Sequence, residues 1–178
     1  MTQTLFDGLT VPYEAQPSHV ENFMRNAYTI NNSINLSTGG PDGGVNLSVS
    51  QLDQESIVPN SNFKRGNIGL GFTQDVTEKL NVSGNINYSL EKNNMPVTMN
   101  NQVLNIPTVI YTIANTMPLG LMRENTYDEN GNEVFYSRFA HRTNPFLTTD
   151  PDKRINNSQR DRVYGNMTLR YNFTYRDV

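Results

Sequence analysis

Hydrophobic and polar residues alternate almost strictly along five stretches of this 178-residue chain. In residues 80–90, apolar side chains occupy the even positions except for Gly84, and Asn or Ser occupies every odd position. A period of two residues is typical of a β-strand, whereas a helix repeats near 3.6 residues. The pattern predicts strands at about 26–37, 45–54, 64–74, 80–90 and 162–175.

The predicted strands are long for a soluble protein. Soluble strands usually run for about five or six residues, while a tilted membrane-spanning strand needs about nine to eleven. Four or five strands of this length in one short chain are unusual for a soluble sandwich. We therefore expect the apolar face to contact lipid and the Asn/Ser/Thr face to line the lumen of a barrel.

Short and long connections alternate between the predicted strands. "TGGPDGG" and "DVTEK" are short turns, "ESIVPNSN" is longer, and about 70 residues separate the fourth strand from the fifth. Outer-membrane barrels have tight periplasmic turns and longer extracellular loops in this alternation. The sequence predicts a partial extracellular loop at 1–25, four antiparallel strands within 26–90, a long extracellular loop at 91–161 and the fifth strand within 162–178.

Two segments of the long loop have local structure of their own. "QVLNIPTVIYTIANTMP" predicts a short helix after Pro107 that ends before Pro118. "TYDENGNEVFYS" predicts a hairpin, because Asn130-Gly131 suits a tight type I′ turn.

The odd number of strands limits the architecture. Single-chain bacterial barrels usually close with an even number of strands, and an open sheet in lipid leaves backbone groups unpaired. We therefore predict an all-β fold, specifically an incomplete, antiparallel up-and-down transmembrane β-barrel segment of about five long strands.

Composition excludes some functions. The chain has no cysteine, which rules out disulfides and thiolate metal sites, and a net charge of −3 gives no reason to expect nucleic acid as a partner. No apolar run reaches the roughly 18 residues of a transmembrane helix, and the N-terminus lacks the basic start and apolar core of a signal peptide.

Five segments carry a family resemblance through their order and spacing. They are "NNSINLSTGG", "LDQESIVPNSNFKR", "LNVSGNINYS" and, inside the long loop, "MPLG" and "TNPFL". From about residue 23 to 175 the chain resembles SusC-type (SusC/RagA) TonB-dependent transporters.

The resemblance implies a nutrient importer in the outer membrane of a Gram-negative bacterium, with an oligosaccharide or peptide as cargo. It also implies a 22-stranded barrel in the lipid bilayer, a plug that contacts the TonB system, and a SusD-like surface lipoprotein as a lid. Because this chain has neither plug nor TonB-contacting segment, we expect an internal barrel segment that does not transport alone.

This interpretation predicts three groups of site residues, each made of residue types that are common in strands and loops. The loop aromatics stack on cargo, pack against the lid or form the loop's own small core; they are Tyr111, Tyr127, Phe135, Tyr136 and Phe139. The lumen-facing residues are Asn85, Asn87, Asn166 and Arg170, of which Arg170 is expected to pair with an acid. The membrane girdles are Tyr28 and Tyr88 at the outer ends, and Phe72, Tyr171, Phe173 and Tyr175 at the inner ends. Ordinary β-propensity is the competing explanation of those aromatics.

We expect no enzyme, metal or cofactor. His19 and His141 lie in predicted loops without ligand spacing, and "DENGNE" places its glycine at the fourth position instead of the sixth of a calcium loop. Asp53 and Glu55 share a strand end, where rim hydration or hydrogen bonding is the expected role. The alternatives are a soluble carbohydrate-binding or adhesive β-sandwich, and a self-assembling structural β protein with two unpaired sheet edges.

Overall fold

A computed structural model describes residues 1–5, 8–95, 106–134, 144–153 and 156–173. The chain divides into two compact units. The sheet unit comprises Thr29–Gln54, Phe63–Asn93 and Ser158–Val178, and the loop unit comprises Met1–Tyr28, Glu55–Asn62 and Asn94–Asn157. In chain order the elements are β1 (Thr2–Thr4), β2 (Thr10–Pro12), α1 (His19–Phe23), β3 (Tyr28–Gly40), β4 (Gly43–Glu55), β5 (Asn62–Thr77), β6 (Leu80–Asn94), α2 (Ile106–Thr112), α3 (Leu119–Glu124), α4 (Pro145–Thr148) and β7 (Asn157–Tyr171).

The five long strands form one antiparallel sheet in the sequential order β3-β4-β5-β6-β7. All five predicted strands are confirmed, at 13 to 16 residues each. β7 begins five residues before the predicted position 162, at Asn157. The stretch 157–161 is entirely polar, so its side chains give no alternation, although its backbone continues the strand.

One face of the sheet carries polar side chains that hydrogen-bond to one another across neighbouring strands. Asn67 Nδ2 donates to Ser50 Oγ at 3.1 Å, and Asn81 Nδ2 donates to Asp75 Oδ1 at 2.7 Å. A Cβ added to buried Gly69 would lie 2.6 Å from both Ser48 Oγ and Asn87 Oδ1. Gly69 therefore lies opposite residue 48 on β4 and residue 87 on β6, which fixes the register of the three central strands.

The other face is apolar and has no protein covering it among the described residues. Ile34, Leu36, Val163, Met167 and Leu169 are each more than 60% exposed. The fully buried apolar side chains of the described chain all belong to the loop unit. A sandwich needs a second sheet on this face, whereas the five long strands lie in a single sheet.

Within the part of the chain that the structure describes, the sheet has two open edges. β3 and β7 each pair on one side only, and every residue in both strands is exposed. The predicted incomplete closure is therefore present. No helix in the described part of the chain is both long and apolar enough to cross a bilayer.

A glycine on the apolar face makes room for an aromatic ring. A Cβ on Gly84 would lie 3.1 Å from the Phe72 ring and 2.8 Å from the carbonyl oxygen of Asn166. The ring on β5 therefore covers the gap on β6, while β7 approaches closely from the other side.

Gly84→Ala is expected to destabilise the sheet by about 1–3 kcal/mol, because the added methyl group meets a ring and a backbone carbonyl that cannot easily move. Urea unfolding in detergent micelles, followed by far-UV circular dichroism, measures the change. Gly66→Ala is the matched control, since a Cβ on Gly66 meets nothing within 4 Å. Equal urea midpoints of unfolding for the two variants would contradict the close packing around Gly84.

The loop unit contains the hydrophobic core. Its central cluster joins the residue after β1, residues of three helices and the connection before α3; these are Leu5, Phe23, Ile106, Ile110, Met117, Leu119 and Met122. The short helix predicted after Pro107 is present as α2, although it begins at Ile106, one residue before Pro107, and ends at Thr112. The sequence interpretation missed α1, α3, α4 and the β1–β2 hairpin. Helices of four to six residues are too short to generate a visible helical period.

Buried Asn144 joins two of the segments that carry the family resemblance. Its Oδ1 accepts from the backbone N–H of Phe146 at 3.0 Å, which caps α4, and Pro145 fills the first turn. Its Nδ2 donates to the carbonyl of Met122 at 2.8 Å. "TNPFL" is therefore attached to α3, the helix that begins within "MPLG".

The predicted hairpin around Asn130-Gly131 is confirmed, but the prediction of a type I′ turn is wrong. Tyr127 and Glu133 form an antiparallel bridge, and Gly131 has a φ of 80°. Asn130 does not have a positive φ, which a type I′ turn requires. The Asp128 carboxylate instead accepts the backbone N–H groups of Asn130 and Asn132 at 2.9 and 2.7 Å, and so organises a longer turn.

This turn is expected to lose order in acid. The side-chain amide of Asn132, followed by the backbone N–H groups of the turn, lowers the pKa of Asp128 below its ordinary value of 3.8. The carboxylate therefore stabilises the turn above pH 4, and this contribution disappears as pH falls through the lowered pKa. Hydrogen exchange at Asn130 and Asn132 should accelerate over that range, beyond its intrinsic pH dependence. Asp128→Ala should remove the transition, while Glu129→Gln should retain it; a transition that persists in Asp128→Ala would contradict this assignment.

Candidate functional site

The loop unit has a cleft of about 510 Å³ beside Tyr127, one of the predicted loop aromatics. The side chains that define it come from α1, α3, α4 and the connections around them; they are Phe23, Asn60, Arg123, Tyr127, Phe146 and Asp150. Glu124 also lines it, so three aromatic rings, one cation and two carboxylates meet in one depression.

The aromatic wall is built by contacts between helices. The Phe146 ring packs edge to face on Phe23, with centroids 5.2 Å apart, and the Arg123 guanidinium carbon lies 4.8 Å from the Phe146 centroid. The cation–π contact holds the guanidinium over the ring. This wall offers a flat apolar surface next to five N–H donors.

Tyr127 and Asp150 form the polar wall. The Tyr127 hydroxyl donates to Asp150 Oδ2 at 2.9 Å, and Lys153 Nζ lies 5.6 Å from the centre of the Tyr127 ring. Partial burial acts to raise the pKa of Asp150, but the backbone N–H of Asp152, the Tyr127 hydroxyl and Lys153 outweigh it and lower the pKa. Asp150 is therefore an ionised acceptor at neutral pH.

The connection between β4 and β5 forms a third wall, and Arg25 holds it in place. Arg25 pairs with Glu55 Oε2 at 2.8 Å and donates to the carbonyls of Ser56 and Ser61 at 3.0 and 2.9 Å. Asn60, at a φ of 58°, donates its side-chain amide to the carbonyl of Thr149 at 2.6 Å. These bonds attach the connection to the end of α4.

This geometry suits binding. Aromatic faces, a guanidinium and an ionised carboxylate together accommodate a ligand with apolar faces and hydrogen-bonding groups at its edges. No group of three His, Cys, Asp or Glu side chains that could hold a metal ion occurs among the described residues.

The predicted loop aromatics do not all meet. Tyr111, 71% exposed, lies on a separate cleft of about 480 Å³ together with His19. His19 is the first residue of α1 rather than part of a loop, and its Nε2 lies 2.7 Å from the carbonyl oxygen of Met117 in a buried contact. Phe135, Tyr136, Phe139 and His141 lie outside the described residues.

The predicted lumen residues lie on the polar face of the sheet. Asn85, Asn87 and Asn166 line a trough of about 630 Å³, together with Gly69 and Gly71. Arg170 lies four residues beyond Asn166 on β7, and the alternation of the strand places it on the same face. The trough itself is lined mainly by Asn, Ser, Thr and Gly, with Val45, Leu70 and Phe72 as its apolar members and no charged residue among its lining.

The predicted girdle residues are spread along the strands. Tyr28 begins β3, Tyr171 ends β7, and the Tyr171 and Phe173 rings pack edge to face at 4.7 Å. Tyr88 and Phe72 lie within β6 and β5, and Tyr175 is outside the described residues. The girdle role of these residues stays a prediction.

The two acids at the end of β4 are both ion-paired. Asp53 Oδ2 lies 3.2 Å from Lys64 Nζ, and Glu55 pairs with Arg25. Sequence reasoning missed Arg25, whose partners lie about 30 residues away along the chain. It also missed Asn60, for which the turn-rich "PNSN" was a usable signal because Asn tolerates positive φ. Phe146 and Arg123 were missed as well.

A scan against protein-family models found no match for the chain, and a search of curated proteins found no similar sequence.

Proposed function

We propose that this chain forms part of the barrel wall and the extracellular loops of a SusC-type, TonB-dependent transporter in a Gram-negative outer membrane. The single observation that carries the proposal is the open five-stranded sheet, whose apolar face has no protein cover among the described residues. Large exposed apolar surfaces mark protein or membrane contacts.

A position in the wall of a membrane barrel, with lipid on one side and water on the other, suits both faces of the sheet. Moving a Val, Leu or Ile side chain out of water contributes roughly 1.5–3 kcal/mol, and this face presents such residues on all five strands. The opposite face bears Asn and Ser, which need water or hydrogen-bonding partners. A water-filled lumen provides them.

The lengths of the strands and their connections agree with this arrangement. Strands of 13 to 16 residues exceed the roughly nine to eleven needed to cross the hydrocarbon when tilted. Two residues join β3 to β4 and two join β5 to β6, whereas six join β4 to β5 and the connection from β6 to β7 runs from 95 to 156. The tight turns are then periplasmic and the long connections extracellular.

The remaining assignments follow from this one. The polar trough faces the lumen and plug of the complete transporter, and the Tyr127 cleft contacts either the oligosaccharide or peptide cargo or a SusD-like lid. TonB acts through the plug, and the proposal assigns no catalytic step to this chain. The β-sandwich alternative needs a sheet packed on the apolar face, whose large side chains are exposed in the described chain, so no observation favours it.

Size measurement in plain buffer and in dodecyl maltoside tests the proposal. We expect aggregation in buffer, and in detergent a discrete protein–detergent particle with a strand-rich circular dichroism spectrum. A monomer in buffer with a cooperative thermal transition would overturn the proposal in favour of a soluble domain. Fibrils in both media would overturn it in favour of a self-assembling β protein.

A further inference from the structure

The apolar face of the sheet carries charged side chains at one end only. Alternate residues, counted from the exposed apolar side chains of each strand, occupy this face. On the described strands of the sheet unit, the charged residues at these positions are Asp53, Lys64, Lys92 and Asp161. We call these four residues the charge row. All of them lie towards the end of the sheet away from the two tight turns.

The strand register brings three members of the charge row to one level. Gly69 lies opposite its neighbours on β4 and β6, and five residues back along β5 Lys64 lies opposite both Asp53 and Lys92. These three side chains therefore cross the central strands of the sheet in one line.

The fourth member of the charge row lies beside Lys92 on β7. A Cβ on Gly165 would lie 3.1 Å from the Cα of Ile86, so these two residues face each other. Six residues further along β6, Lys92 faces Gln159, and Asp161 is the next residue of β7 on the same face. The charge row thus extends to the edge strand.

The charge row is neutral and paired within itself. Asp53 Oδ2 lies 3.2 Å from Lys64 Nζ, and Lys92 interacts electrostatically with the Asp161 carboxylate. The same carboxylate accepts from the Tyr88 hydroxyl at 2.8 Å. Two cations and two anions leave no net charge that would select a charged ligand, so the row indicates something other than an ion site.

Paired charges on a lipid-facing surface still require water. Asp53 Oδ1 is buried and accepts no hydrogen bond among the described residues, while the Lys64 side chain is 57% exposed. Attraction between two charges often fails to offset their lost hydration. A charge on the lipid face of a barrel is strongly destabilising at the bilayer midplane and tolerated near the interface. The charge row therefore fits lipid contact only at the edge of the hydrocarbon.

The uncharged part of the apolar face has the height of an outer-membrane bilayer. On β6 it runs from Leu80 to Leu90, which is about 33 Å along the strand at about 3.3 Å per residue. A tilt of about 45° reduces this length to about 23 Å along the membrane normal, close to the roughly 25 Å apolar band of outer-membrane barrels. The charge row and the tight turns are therefore separated by about one hydrocarbon thickness.

We propose that the charge row marks the outer boundary of the hydrocarbon. The bilayer then covers the apolar face from the tight turns up to the row, while head groups and water cover the row itself. The Tyr88 ring lies just inside this boundary with its hydroxyl at the row, and the midplane passes near Ile86. The inference rests on the proposed function, because it requires lipid on the apolar face, and it adds the depth at which the sheet lies in the bilayer.

Cysteine accessibility along β7 tests this boundary. The full chain is placed in dioleoyl phosphatidylcholine nanodiscs, which leave both membrane surfaces open to a water-soluble maleimide, and mass spectrometry follows the reaction. Gln159→Cys reports the level of the charge row without removing a charge. Met167→Cys reports the middle of the apolar face, and Asn166→Cys is the adjacent control on the polar face. Circular dichroism checks that each variant retains its strands.

Positions 159 and 166 should react rapidly, and position 167 at least about tenfold more slowly, because only the ionised thiol reacts and hydrocarbon disfavours its charge. Protection of position 159 to the same degree as 167 would overturn the boundary while leaving lipid on the apolar face. Equally rapid reaction at all three positions would overturn both this inference and the proposed function.

A second comparison tests whether the charges set the boundary. With the thiol at position 159, Lys92→Leu/Asp161→Leu makes the row apolar on β6 and β7. Glu91→Leu/Arg160→Leu is the matched control, because it removes an ion pair of 3.8 Å from the polar face of the same two strands.

The thiol should react more slowly in the row variant than in the control when the lipid is dioleoyl phosphatidylcholine. The difference should disappear in dilauroyl phosphatidylcholine, whose thinner hydrocarbon ends below the row. Equal rates in the two variants, or a difference that is the same in both lipids, would show that the charge row does not set the boundary.

Discussion

Replacing Leu147 with alanine is expected to destabilise the loop unit by about 2–5 kcal/mol, since truncation of a fully buried leucine loses transfer free energy and leaves a cavity. Leu147 has no exposed surface and lies in α4, which packs against α2. Hydrogen exchange of the α2 and α3 amides, measured in detergent by mass spectrometry, gives the free energy of opening.

Leu9→Ala is the matched control for that change. Leu9 is 44% exposed, so the same truncation there should alter the opening free energy by less than about 1 kcal/mol. Equal effects at the two leucines would show that α4 is not part of a packed core. The loop unit would then be unable to hold the walls of the Tyr127 cleft in place.

Ile86→Arg is expected to destabilise the lipid-embedded chain by about 2–4 kcal/mol, the range for arginine on the lipid face near the midplane of a bilayer. Ile86 is exposed on the apolar face near the middle of β6. Urea titration of the chain folded into phosphatidylcholine vesicles measures the change.

Asn85→Arg tests the opposite face at the adjacent position. Asn85 lies on the polar trough, so an arginine there should be tolerated with a much smaller change. If the two variants lose equal stability, or if Ile86→Arg alone is tolerated, lipid does not cover the apolar face.

The sheet was predictable because its signal is local and repeats along each strand. Val82, Ile86 and Tyr88 occupy even positions, whereas Asn85 and Asn87 occupy odd ones. Because alternate residues of a strand lie on the same face, this pattern repeats along the whole strand. The lengths of the connections then predicted antiparallel neighbours. The register was not predictable, because it depends on close contacts such as those of Gly69, which no single strand reveals.

The loop unit was less predictable because its contacts are distant in sequence and its elements are short. Arg25 holds residues 55–61 through an ion pair and two hydrogen bonds, and nothing near Arg25 in the sequence indicates this. Asn144 was part of a quoted motif, but its bond to the Met122 carbonyl depends on the folded core.

The candidate site was only partly accessible from the sequence. Aromatic content singled out Tyr111 and Tyr127, which the fold places in different clefts. The partners of Tyr127 are Asp150 and Lys153, and Phe146 and Arg123 form the facing wall. A count of aromatic residues cannot distinguish a ring that lines a cleft from one that lies elsewhere on the loop.

Lipid quenching along β6 tests the central claim most directly. The chain has no cysteine, so single cysteines at positions 82, 83 and 85 to 88 each carry one environment-sensitive fluorophore without competing sites. Position 84 is left unlabelled, because a Cβ on Gly84 would meet the Phe72 ring and the Asn166 carbonyl oxygen. In vesicles whose acyl chains bear a spin label, we predict strong quenching at 82, 86 and 88 and weak quenching at 83, 85 and 87. Quenching without this alternation, or strongest at the asparagine and serine positions, would contradict the assignment of the apolar face to lipid.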